Sequence, residues 1–142
     1  MKALTDTELR AKLPSEPYDN TANVGSFKLL EWQIVTAVTD DRITLANGLT
    51  LRIVDNKGCG GCDNGWSRHK WQQGYKRLVG KVITNVKIET LGEAGYDNHR
   101  YLVHFFGSNS QIAQLDVDMN WGNGYYGAGV WLQVARSETD HE

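Results

Sequence analysis

Asn47-Gly48 stands between Arg42-Ile43-Thr44-Leu45 and Leu49-Thr50-Leu51-Arg52-Ile53-Val54, the second of which alternates apolar and polar residues. A period of two puts one face of a strand into a core and the other into water. Asn-Gly between two such stretches is a strong hairpin signal, because both central residues of a type I′ turn need positive φ. The chain is therefore expected to form an antiparallel hairpin here, with Leu49 to Val54 returning along Arg42 to Leu45.

The same pattern recurs. Leu29 to Val38 is rich in β-branched and aromatic types and is followed by a turn at Asp40-Asp41. Leu78 to Ile88, Tyr101 to Phe106, Gln111 to Val117 and Val130 to Val134 read as further strands, with a hairpin at Gly107-Ser108-Asn109. Leu30, Thr36 and Val38 match Leu78, Thr84 and Val86 at equal spacing, which suggests a duplicated β-meander. Glycine occurs 15 times and proline twice, and the glycines gather between apolar runs, as in an all-β chain joined by tight turns. Ahead of the strands, leucines at 4, 9 and 13 lie behind a cap at Thr5 or Asp6, with Glu8 or Glu16 as acidic company and Pro14 and Pro17 to end a short helix.

These signals predict a mainly β protein of antiparallel meanders with a short N-terminal helix and a helical turn near residues 66–76. The expected division is an N-terminal helix and linker over 1–26, one β-rich domain over 27–134 and a charged tail over 135–142. A length of 142 residues suits a single core. A formal charge of −2 excludes a general polyanion-binding field, so any nucleotide must be met by a local patch, and nucleic acid is not an expected partner. No apolar run reaches the roughly 20 residues of a membrane helix, and the opening Met1 to Asp6 lacks the apolar stretch of a signal peptide; a cytoplasmic protein without a membrane partner is expected.

Two segments could carry chemistry. The first contains Cys59-Gly-Gly-Cys62 and runs on through Trp66, Arg68, His69, Lys70 and Trp71. Two thiolates at this spacing, with His69, are candidate zinc ligands, but a closed site needs four, and there is no second Cys-x-x-Cys; the stretch reads better as a sharp glycine turn that delivers Trp66. The mixture of indoles and cations after it suits a ligand with a ring to stack and phosphates to neutralise. The second segment, Asn120 to Gly129, surrounds Tyr125 and Tyr126 with glycines whose backbone amides can face an anion, yet it lacks the order of a phosphate-binding P-loop. Catalysis finds little support: no nucleophile elbow occurs, and Asp116 and Asp118, which share a strand face by period two, read first as its wet side.

The Asn47-Gly48 hairpin, the strand from Leu49 to Val54, the Gly-Cys turn closing on Trp66, the strand opening Leu78-Val79-Gly80-Lys81-Val82-Ile83 and Asn123-Gly124-Tyr125-Tyr126-Gly127 together resemble a family of small phage proteins of unknown function. Some members of that family are similar to the first type of Thoeris anti-defence protein, a sponge for cyclic ADP-ribose isomers and cyclic oligonucleotides. The resemblance covers residues 28 to 134; here two glycines separate the cysteines, where the family has them adjacent. It implies a β-rich homo-oligomer, a hexamer in the sponges, that holds a cyclic nucleotide between subunits in the host cytoplasm and does not cleave it. On that reading the protein is not an enzyme and needs no cofactor. Trp66, Tyr125 and Tyr126 would stack a base, Arg68, Lys70 and Arg100 would meet phosphates, and His69 and Asn123 would complete the cradle. The alternative is a structural or interaction protein, a virion component or a blocker of a host factor, because tryptophan and tyrosine are also enriched at interface cores. A metal-dependent hydrolase using Asp116, Asp118 or the histidines is a third, weaker reading.

Overall fold

The computed structural model describes residues 3–13, 24–55, 67–93, 98–120 and 130–135. It is mainly β, with two antiparallel four-stranded sheets. Helix α1 (Asp6–Lys12) begins with a capping box: the Thr5 hydroxyl accepts from the Glu8 amide while Glu8 accepts from the Thr5 amide, so two orphan donors of the first turn are satisfied. Its apolar face sends Leu9 and Leu13 into the core.

The first sheet is built from β1 (Val35–Val38), β2 (Arg42–Leu45), β3 (Thr50–Val54) and β8 (Trp131–Val134) in that order. The second has the order β4 (Ser67–Trp71), β7 (Ser110–Asn120), β6 (Asn98–Gly107), β5 (Asn85–Glu93). Each sheet is thus a three-stranded meander completed by a strand from elsewhere. The strand that follows the first meander, β4, pairs in the second sheet with β7, and the strand that follows the second meander, β8, pairs in the first sheet with β3. The two halves exchange their fourth strands.

Their junction is a single antiparallel bridge, Ile34 with Val82. Around it the backbone hydrogen bonds come in matched pairs, 48 residues apart. Trp32 N donates to Ile83 O at 2.6 Å and Gly80 N to Val35 O at 2.7 Å; Val35 N donates to Lys81 O at 3.1 Å and Ile83 N to Gln33 O at 3.0 Å. Before the bridge each half makes a 3-10 turn, Val24–Leu30 and Tyr75–Leu78, whose last leucine is fully buried. Even the left-handed residue between turn and bridge is repeated, as Trp32 with φ 71° and Gly80 with φ 84°. The duplication suggested by the spacing of Leu30, Thr36 and Val38 is therefore a local twofold, with Ile34 and Val82 astride its axis.

Three expectations need correction. Leu29 to Ile34 and Leu78 to Thr84 read as strand from their β-branched content, but each is a 3-10 end, a left-handed residue and a bridge, because pairing across the axis overrides local propensity. Asn47-Gly48 does turn a hairpin, but not as type I′: only Gly48, at φ 91°, is left-handed, and Leu45 O accepts from Gly48 N at 2.9 Å, giving a three-residue loop. The two-residue loop with both φ positive is Ser108-Asn109, at 52° and 72°, between the paired Gly107 and Ser110. Finally, the helical turn near 66–76 is the 3-10 turn Tyr75–Leu78, and Ser67–Trp71 ahead of it is strand. His69, counted as polar, faces inward with Trp71, so the alternation of this strand is hidden in composition.

One core cluster joins both sheets, the 3-10 turns and α1, with Phe27 packed edge-on against Phe105 at 6.2 Å. Because Leu30 and Leu78 sit at equivalent, fully buried places in it, Leu30→Ala and Leu78→Ala should each remove about 2–5 kcal/mol of stability. Urea unfolding followed by tryptophan fluorescence and by far-UV circular dichroism should stay a single coincident transition in both variants. Separate transitions for the two halves would contradict a shared core.

Candidate functional site

Strand β4 splits its side chains between two faces. Arg68 and Lys70 point outward, while Trp71 is buried and the His69 side chain is 5% exposed. Pairing with β7 places Arg68 opposite Asp118 and Lys70 opposite Asp116, and pairing of β7 with β6 places Arg100 on the other side of Asp118. Three of the cations expected to meet phosphates therefore lie together on the outer face of the second sheet. They alternate with carboxylates: Arg100 Nε donates to Asp118 Oδ1 at 2.9 Å, and Asp116 accepts from Gln72 at 2.5 Å and from Gln114 at 2.9 Å. The terminal nitrogens of Arg100 and the ammonium of Lys70 have no partner among the described residues. Asp116 and Asp118 are the wet side of their strand, as period two implies.

The polar belt continues across this face. Gln111 donates to His104 at 3.0 Å and His104 meets Glu89 at 2.9 Å, while Lys87 stands 5.3 Å over the Phe106 ring. None of these was singled out by sequence, since each reaches the face only through strand register. Period two along β5 and β6 is the signal that places Lys87 with Glu89 and His104 with Phe106.

His69 departs from the expected cradle, lying on the opposite face from Arg68, Lys70 and Arg100. Its Nδ1 contacts Asp55 Oδ1 at 2.7 Å and its Nε2 contacts Asp40 O at 2.8 Å. That carbonyl also accepts from Trp71 Nε1 at 3.0 Å. A carboxylate and a carbonyl can only accept, so the ring needs a proton on both nitrogens to satisfy both contacts. Burial opposes the charge, but the hydrogen bond and charge of Asp55, helped by the Asp40 carbonyl, outweigh it and raise the pKa above the ordinary 6.5. His69 is a clamp: it ties β4 of one sheet to the β1–β2 turn and the end of β3 in the other. Trp71, held by the same carbonyl and stacked on Tyr75 at 5.0 Å, is likewise structural.

Cys59, Cys62, Trp66, Asn123, Tyr125 and Tyr126 lie outside the described residues. What is described is how their segments are anchored. Residues 56–66 end at Ser67 and residues 121–129 begin after Asn120; Ser67 is paired with Met119, and Asn120 with Asn98. At their other ends, Val54 is paired with Trp131. Among the described residues no cluster of histidine, cysteine and carboxylate could hold a metal ion.

A family model described as Domain of unknown function (DUF7448) matches residues 21–132. The chain belongs to this family. The DUF7448 match spans both meanders, both exchanged strands except the last residues of β8, and both anchored segments. No curated protein and no solved structure matches the chain. Among the described residues, no helix of this DUF7448 protein is long and apolar enough to cross a membrane.

The clamp makes stability depend on pH with a definite sign. A group whose pKa is raised by folding stabilises fully below its unfolded value and loses that contribution as pH rises through its folded value. The melting temperature should therefore fall between pH 6 and the raised pKa of His69, and His69→Val with Asp55→Val should flatten that slope while Trp71 keeps the Asp40 carbonyl satisfied. A histidine titration by NMR with His69 below 6.5 would contradict the clamp.

Proposed function

We propose that this DUF7448 protein is a non-enzymatic binder that sequesters a cyclic nucleotide messenger, a cyclic ADP-ribose isomer or a cyclic oligonucleotide, and so acts as a phage anti-defence sponge in the host cytoplasm. The observation that carries this reading is the cross-strand row Arg68–Asp118–Arg100, with Lys70 beside it, at the end of the sheet where both ring-bearing segments are anchored. Cations on a rigid sheet can neutralise phosphates, and an arginine already held at Nε by a carboxylate is oriented with its outer nitrogens available. Trp66 directly precedes the anchored Ser67, and Tyr125 and Tyr126 belong to the neighbouring segment, so flat rings for the base are within a few residues of the charge. Stacking supplies about 1–3 kcal/mol per base. The resemblance to the sponge family supplies the messenger class and the expectation of a homo-oligomer.

A second reading, an interaction protein, is favoured by one feature. Ile34, Val82 and Val79 are 43%, 39% and 45% exposed around the bridge, a small apolar patch on the axis between the halves. Such a patch suits contact with another protein.

The two readings separate in one experiment. Purified protein is incubated with cyclic ADP-ribose isomers and cyclic dinucleotides, filtered, and heated. The retained nucleotide should be released chemically unchanged. Arg68→Gln with Arg100→Gln should weaken retention by about tenfold or more, since charge-assisted bonds contribute roughly 1.5–3 kcal/mol each. Asp118→Asn should strengthen it. Release of altered nucleotide would make the protein an enzyme, and no retention at all would leave the interaction reading.

A further inference from the structure

The local twofold gives each residue near the bridge a counterpart, and at one place the two halves differ in volume. Trp32 corresponds to Gly80: both have left-handed φ, and each donates its amide across the axis to the other half's residue after the bridge. Counting back along the paired strands, Leu45 corresponds to Gly107 and Leu49 to Ser110, the residues that flank the two hairpin loops. In the first half these positions carry an indole and two buried leucines. In the second they carry two glycines and a serine.

Only part of the missing volume is refilled. A bulge in β7 adds Ile112, whose side chain lies where a Cβ on Gly107 would stand. Nothing replaces the indole: a Cβ built on Gly80 meets no atom within 4 Å. The space is a cavity of about 330 Å³, open to solvent and bounded by Gly80, Lys81, Val82, Gly107, Ser110 and Ile112, with Ser108 at its edge. Its walls are Val82 and Ile112. Its polar groups are the Ser108 hydroxyl and the ammonium of Lys81, which has no partner among the described residues; the Ser110 hydroxyl already donates to the Gly107 carbonyl at 3.3 Å. The counterpart of Lys81 is Gln33, which is buried and spent on the Leu4 carbonyl at 2.8 Å.

We infer that this cavity is a binding site for a small planar aromatic acid, a ring system of up to two fused rings bearing one anionic group. The ring lies between Val82 and Ile112 beside the bare backbone of Gly80, at a position where only the other half carries a side chain. The acid meets Lys81 and the Ser108 hydroxyl. A pocket near 300 Å³ lined in comparable parts by apolar and polar groups has the dimensions of such a ligand. This site is separate from the cation row on the second sheet and does not depend on the function proposed for that row.

Titration of the full chain with indole-3-acetate, followed by amide NMR, tests it. Shifts should concentrate at Gly80, Lys81, Val82 and Ser108 to Ile112. Gly80→Trp restores the side chain of the other half at a φ that Trp32 already tolerates, and should weaken binding by about tenfold or more, as filling a pocket does. Ser110→Leu restores Leu49 in the same way and decides the matter should Gly80→Trp fail to fold. Lys81→Gln should weaken indole-3-acetate by up to about fivefold, in line with an exposed charge pair, and leave uncharged indole unchanged. Shifts that are absent or spread over other surfaces would overturn the site, as would folded Ser110→Leu or Gly80→Trp protein that binds like the native chain.

Discussion

Four backbone hydrogen bonds around the Ile34–Val82 bridge hold this fold together at its centre. A three-stranded meander has one apolar face and cannot bury it alone. Here two meanders are fastened apolar face to apolar face by a segment at the start of the first strand in each, so that Val35 and Ile83 turn inward, fully buried, while Ile34 and Val82 turn outward. The exposed aliphatic pair on the axis is thus the wet side of the bridge. Its β-branched character suits the extended backbone that the bridge requires.

Exchange of the fourth strands follows from the same arrangement. Once the meanders face each other, the chain leaving β3 lies close to the open edge of the other sheet, and the chain leaving β7 lies close to the open edge of the first. Strands β4 and β8 each cover an edge that would otherwise present unpaired backbone groups. The two glycine-rich segments picked out by sequence, 58–66 and 120–129, precede these two strands in the chain. Their anchoring beside Arg68, Asp118 and Arg100 is a consequence of topology, and it is what brings a set of cations and a set of ring-bearing segments to one end of one sheet.

Sequence exposed what is decided locally. The helix start at Thr5 or Asp6, the alternation in β3 and the long runs of β6 and β7 all depend on neighbours within a few residues, and they could be read directly. The segments before β1 and β5 could not, because their conformation is set by a partner 48 residues away rather than by their own propensity. Turn type was equally hidden: Ser108-Asn109 adopts the doubly left-handed loop only because Gly107 and Ser110 are already paired, whereas Asn47 spends its side chain on the Leu49 amide and leaves the left-handed position to Gly48. At the candidate site, composition identified the cations but not their faces. Arg68 and Lys70 share a face with Arg100 through register, and His69 between them is drawn inward by acceptors 14 and 29 residues away.

The position of His69 shows where the twofold has been broken. Carrying the register one step past Val54–Trp131, and past the equivalent Asp116–Lys70, makes Val130 the counterpart of His69 and Val117 the counterpart of Asp55. Both valines are fully buried. On one side of the axis the gap between the sheets is therefore closed by two apolar side chains, and directly beside it, across the His69–Val117 pairing, by the hydrogen-bonded His69–Asp55 pair. Apolar packing is the cheaper solution, since desolvating two charges takes back much of their mutual attraction. Yet the pair does something valines cannot: its contacts are directional, and they fix β4, the strand that carries Arg68 and Lys70, against the β1–β2 turn. Departures from symmetry at His69 and Asp55, and at Gly80 and Ser110, leave the bridge at the axis intact and alter only the side chains around it. The shared bridge sets the fold, and the positions where the two halves carry unequal side chains are where binding chemistry has room to differ.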